Sequence, residues 1–131
     1  MKNDLKFIIV DDDPFNNMVC SMIIEDALGE ADIKEFTQPE KALLFIKENI
    51  QDQTVLFLDI NMPTLTGWDF LDLYAGFSDE IKSHISVYIL SSSLDHRDRD
   101  KADRNKYVKG FISKPIEYDT VLSIAGGQFQ A

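Results

Sequence analysis

Residues 8–14 read IIVDDDP: three apolar residues, the adjacent carboxylates Asp11, Asp12 and Asp13, and then Pro14. An apolar run of this kind reads as a strand covered on both faces, and proline suits the first turn of a helix that follows at once. Three carboxylates packed at one strand end repel one another, so the cluster needs a compensating charge.

The same alternation recurs. Apolar runs at 5–10, 33–36, 55–58, 85–90 and 110–113 predict strands, and segments of helical period lie between them. A first helix is expected from Pro14 to near Gly29, with Phe15, Met18, Val19, Met22 and Ile23 on its inward face. A second starts at Pro39 and turns Ala42, Leu43, Ile46 and Ile50 inward. A third follows Gly67 with Trp68, Leu71 and Tyr74 or Ala75 inward. A fourth, around 94–106, offers only Leu94 and Ala102 to a core, and the last runs from about Ile116 through Val121, Leu122 and Ala125. Five strands alternating with five helices predict an α/β fold: a doubly wound, five-stranded parallel sheet flanked by five helices.

With 131 residues, 44% of them hydrophobic, one domain spanning 1–131 is expected. The chain has no apolar run long enough to span a membrane, and MKNDLKFIIV is too polar for a signal peptide, so a soluble, cytoplasmic protein is expected. Cys20 is the one cysteine and reads as a small buried side chain. A net charge of -10 argues against a nucleic-acid backbone as ligand and for proteins or cations as partners.

In such sheets the loops leaving the carboxyl ends of the strands gather at one edge, and ligands bind there. The residues following the first, third, fourth and fifth strands are Asp11, Asp12 and Asp13; Asp59 with Asn61; Ser91, Ser92 and Ser93; and Lys114 with Pro115. Carboxylates at this density suit a hard Mg²⁺ ion, which takes few protein ligands and leaves positions for phosphate oxygens. Lys114 adds a positive charge, Ser91 adds a hydroxyl donor, and Asp59 becomes a candidate nucleophile that forms an aspartyl phosphate. Taken singly, each residue has an ordinary reading: a helix cap, a serine loop, a surface lysine, a strand-ending proline. Four strands ending in the residue types one phosphoryl site requires favour the joint reading. Asp13, next to Pro14, is expected to cap the first helix instead of touching metal.

The ordered motifs VDDD at 10–13, LDINMP at 58–63, the hydroxyl at Ser91 and FISKP at 111–115 resemble the receiver domain of two-component response regulators, as in stand-alone receivers of the chemotaxis-regulator type. The resemblance covers nearly the whole chain and implies a flavodoxin-like (βα)5 receiver. It implies Asp59 as phosphoacceptor, Asp11, Asp12, Asp59 and the backbone carbonyl of Asn61 as Mg²⁺ ligands, and Ser91 and Lys114 as phosphoryl-binding residues. It further implies Ser91 and Phe111 as a switch pair and a cis Lys114-Pro115 peptide. The expected function is phosphoryl transfer to Asp59 from the phosphohistidine of a histidine kinase or histidine phosphotransfer protein, changing affinity for a downstream protein partner. Such a domain is not an enzyme beyond its own phosphorylation and dephosphorylation, and no output domain, nucleic acid or membrane is expected.

Two other readings stay open. One is a small Mg²⁺-dependent phosphohydrolase of the haloacid dehalogenase type using Asp11, although only Glu117 and Asp119 follow Lys114 as its further acids. The other is a receiver-like binding module that is never phosphorylated. The stretch NKYVKG at 105–110 and the charged fourth helix depart from the family pattern, so no target is assigned. Asn61 and Ser93 occupy positions that tune phosphoryl loss in the family. His84 and His96 read as surface histidines, Trp68 as core or rim, and the run DHRDRDKADR as a solvated face.

Overall fold

A computed structural model describes residues 5–127. Residues 1–4 and 128–131, part of the expected domain span and of the N-terminal reading, lie outside the described residues. The elements run β1 (Lys6–Val10), α1 (Pro14–Leu28), β2 (Asp32–Phe36), α2 (Pro39–Asn49), β3 (Thr54–Leu58), α3 (Gly67–Tyr74), α4 (Asp79–Ser83), β4 (Ile85–Ser91), α5 (His96–Arg104), β5 (Val108–Ser113) and α6 (Tyr118–Ala125). All five strands are parallel, in the order β2-β1-β3-β4-β5. The strands fall where the apolar runs predict them, to within a residue or two. The helices number six and not five, because α4 adds a five-residue turn that buries no side chain and so leaves no apolar period to read.

Alternate residues of the central strands face opposite layers, as the two-residue period of a strand requires. Ile8, Val10, Leu56, Leu58, Val87, Ile89 and Phe111 build one core with α2, α3 and α5. Phe7, Ile9, Val55, Phe57, Tyr88, Leu90 and Ile112 build the other with Cys20 and Ile24 of α1 and Val121 and Ile124 of α6.

Several inward faces differ from expectation. α1 buries Asn17, Cys20 and Ile24, while Phe15, Met18 and Met22 are exposed and Val19 and Ile23 half-buried. Apolar residues lie on nearly every side of this helix, so their spacing does not single out a face. In α3, Phe70, Leu71 and Tyr74 point inward, Trp68 is half-buried and Ala75 exposed. In α6, Val121 and Ile124 are buried, Leu122 is exposed, and buried Ile116 precedes the helix. Ile50 lies just past α2. Leu94 lies before α5 and is 93% exposed, which leaves Ala102 as that helix's sole buried residue. Two cation-π contacts accompany it, the Arg99 guanidinium 4.8 Å from the Phe111 ring and Lys101 Nζ 5.5 Å from the Trp68 ring.

Candidate phosphoryl-acceptor site

Strand register assembles the site. Val10 pairs with Leu58 across β1 and β3, so the next residues, Asp11 and Asp59, emerge side by side, and the Asp59 N–H donates to the Val10 carbonyl at 3.0 Å. Ser91 pairs with Ser113 across β4 and β5, and Lys114, one residue on, donates its backbone N–H to the Ser91 carbonyl at 2.9 Å. The four strand ends named from the sequence therefore meet at one edge.

Asp11 and Asp59 are buried and Asp12 is exposed. Each of the three offers a carboxylate oxygen, and those oxygens lie within 4.8 Å of one another. Lys114 Nζ stands between two of them, 2.5 Å from Asp11 Oδ2 and 3.5 Å from Asp59 Oδ2. The second oxygens are held by backbone: the Asp13 N–H donates to Asp11 Oδ1 at 2.9 Å, and the Asn61 N–H donates to Asp59 Oδ1 at 3.2 Å. Asp13 turns away to accept the Phe15 N–H at 2.9 Å as the cap of α1.

Three carboxylates facing one ammonium leave negative charge in excess, and hard oxygen donors of this kind fit Mg²⁺. Burial pushes the Asp59 carboxyl above its ordinary range, and the Asp11 charge adds to this, while the Asn61 N–H and Lys114 pull it back. Burial works against the charge on Lys114, but its hydrogen bond to Asp11 and the charges of Asp59 and Asp11 outweigh this and hold it above the usual lysine value. Ser91 is fully buried, and its hydroxyl oxygen accepts the Ser93 N–H at 3.0 Å. Phe111, buried on β5, pairs in register with Ile89, two residues before Ser91. The Lys114-Pro115 peptide is cis.

Beside the carboxylates a cleft of about 320 Å³ opens between α1 and the segment after β5, lined by Phe15, Val19, Cys20, Phe57, Leu90 and Ile116 among others. Cys20 lies at this wall with its thiol pushed up to about 12, chiefly by burial and further by Glu35 and Asp11. It is an unreactive packing residue.

Two residues that support the site escaped the sequence reading. Asn17, fully buried on α1, donates from Nδ2 to the Asp11 carbonyl at 3.1 Å and the Phe36 carbonyl at 3.2 Å, tying the ends of β1 and β2 beneath the carboxylates. No local signal marks it, because the spacing of apolar residues in α1 does not reveal that Asn17 shares the buried face with Cys20 and Ile24. Gly67, which the sequence marks only as a helix start, packs so closely that an added Cβ would lie 2.7 Å from both the Asp59 carbonyl oxygen and Ile60 Cα. The residues proposed as further acids for a hydrolase, Glu117 and Asp119, are exposed in and before the first turn of α6.

The model of the response regulator receiver domain matches residues 7–125. A two-component response regulator from Cytophaga hutchinsonii is similar at 28% identity and a TM-score of 0.85, covering 98% of this chain and 97% of its own. A response regulator receiver protein from Dyadobacter fermentans DSM 18053 shares 22% identity with a TM-score of 0.87, over 97% of this chain and 99% of its own. The chemotaxis protein CheY4 of Vibrio cholerae shares 20% identity with a TM-score of 0.76, over 95% and 98%. No curated protein matches the chain in sequence. A parallel sheet that brings Asp11, Asp59, Ser91 and Lys114 to one edge, together with a family match over residues 7–125, establishes that this chain belongs to the response regulator receiver domain family.

Proposed function

We propose that Asp59 is the phosphoacceptor of a Mg²⁺-dependent transfer from the phosphohistidine of a histidine kinase or phosphotransfer protein, and that phosphorylation changes affinity for a downstream protein. The observation that carries this reading is Lys114 Nζ poised 2.5 Å from Asp11 and 3.5 Å from Asp59 at the junction of three strand ends. An Asp59 carboxylate oxygen attacks phosphorus; the O–P bond forms as the P–N bond to the donor imidazole breaks, and that electron pair returns to the ring nitrogen. Asp11, Asp12, Asp59 and the Asn61 backbone carbonyl are the proposed holders of Mg²⁺, which when bound neutralises charge on phosphoryl oxygens.

Lys114 supplies a fixed positive charge to the oxygens of the incoming group, so its pairing with two carboxylates keeps it ionised and aimed. Ser91 supplies a hydroxyl donor to the same group. We assign Ser91 and Phe111 to the switch because they lie on adjacent strands, and a change at the hydroxyl reaches the aromatic ring through the β4–β5 pairing. A phosphoryl group adds close to two negative charges to an already acidic edge, which is a large local perturbation for partner binding.

The test is incubation with Mg²⁺ and phosphoramidate or acetyl phosphate, followed by intact mass. One added phosphoryl group is expected, and Asp59→Asn should abolish it. An adduct mapped to Asp11 and indifferent to Asp59→Asn would select the phosphohydrolase; no adduct from any donor, without Mg²⁺ binding, would select the unphosphorylated module.

A further inference from the structure

We infer that Asp98, on α5, is a positioning residue for phosphoryl transfer: it fixes the loop whose backbone orients the Ser91 hydroxyl. The inference rests on the reading that Ser91 donates to a phosphoryl oxygen on Asp59. Asp98 itself lies outside the strand-end cluster.

A short chain of hydrogen bonds joins the two. Asp98 Oδ2 accepts the Ser93 hydroxyl at 2.6 Å. The Ser93 Oγ in turn accepts the Asp95 N–H at 3.2 Å, and the Ser93 N–H donates to Ser91 Oγ at 3.0 Å. A serine hydroxyl has one proton to give and two lone pairs to receive. With a lone pair of Ser91 engaged by the Ser93 N–H, its rotation is restrained and its own proton is left for an incoming oxygen. A bond from a hydroxyl to an ionised carboxylate is short and strong, so Ser93 is held firmly in the geometry that serves Ser91.

Little else in the loop could do this. Ser92 and Leu94 are exposed, so neither anchors residues 92–95 by packing. α5 buries only Ala102, so the helix carrying Asp98 is coupled to the loop through polar contact more than through a shared core. The Asp95 cap of α5, which accepts the Arg97 N–H at 2.9 Å, does not depend on Asp98 and should survive its removal.

The experiment measures the rate of phosphorylation by phosphoramidate in Mg²⁺, by intact mass, for Asp98→Ala, Asp98→Asn and Ser93→Ala, each in the native and the Ser91→Ala background. In the native background Asp98→Ala and Ser93→Ala should each slow the reaction about three- to tenfold, the loss expected for one hydrogen bond. Asp98→Asn keeps an acceptor oxygen for Ser93 and should recover most of the rate. With Ser91 already alanine, Asp98→Ala should change nothing further, because its effect passes through that hydroxyl. Equal slowing in both backgrounds would show a merely structural role and overturn the inference, as would a native rate for Asp98→Ala or for Ser91→Ala. Failure of the native protein to be modified on Asp59 is a separate result, which overturns the receiver mechanism and this inference with it.

Discussion

Asp59 shows how one environment can serve reaction and oppose folding. Its carboxyl lies above the ordinary range because burial disfavours the charged form. A carboxyl raised in the folded state makes no difference below the unfolded pKa, where both states are protonated; its charge penalty grows as pH rises and is complete above the folded pKa. Asp59→Asn should therefore make the metal-free protein more resistant to urea at neutral pH, with the gain vanishing as pH falls below the ordinary carboxylate range; urea titrations in a chelator at several pH values check this. Asn17 acts in the opposite sense. Asn17→Ala removes two donated hydrogen bonds at a buried position and should cost about 1–3 kcal/mol, read as a lower urea midpoint. From the sequence, Asp11, Asp59 and Lys114 were legible because charged residues directly after apolar runs are conspicuous. Asn17 was not, since asparagine on a helix ordinarily faces water and nothing local distinguishes a buried one.

Among the elements, α3 depends most on a single absent side chain. Gly67 opens the helix against the backbone of Asp59 and Ile60, and its N–H donates to the Ile60 carbonyl at 3.1 Å. Because the obstructing atoms are largely main chain, the contact cannot be relieved by a rotamer change. Gly67→Ala should lower stability by about 1–3 kcal/mol through overpacking and slow phosphorylation by displacing Asp59, a pairing of effects that urea titration and the phosphoramidate assay read separately. α1 illustrates the limit of periodicity: with Phe15, Met18 and Met22 as apolar as Cys20 and Ile24, the sheet decides the buried face, and the helix alone does not. The five-residue α4 and the exposed Leu94 were likewise unreadable, one for want of any apolar face and the other because an isolated leucine ordinarily signals burial.

At the scale of the whole molecule, parallel topology was recoverable because three of the strands are apolar almost throughout and strands alternate with helices, whereas the order β2-β1-β3-β4-β5 is set by tertiary packing and was not read. The strand-end constellation then came with it, since register carries Val10 to Leu58 and Ser91 to Ser113 without further information. An open sheet also has two boundaries, here β2 and β5. Among the described residues no strand pairs with the outer side of either, and an outer strand side of this kind can recruit foreign chains, which is how ordered aggregates begin. On β2 the exposed side chains are Asp32, Lys34 and Glu35, and on β5 they are Lys109 and Ser113. A second sheet approaching either boundary must desolvate charge before gaining any ladder, so the charged side chains of β2 and Lys109 of β5 keep the flanks colloidally quiet.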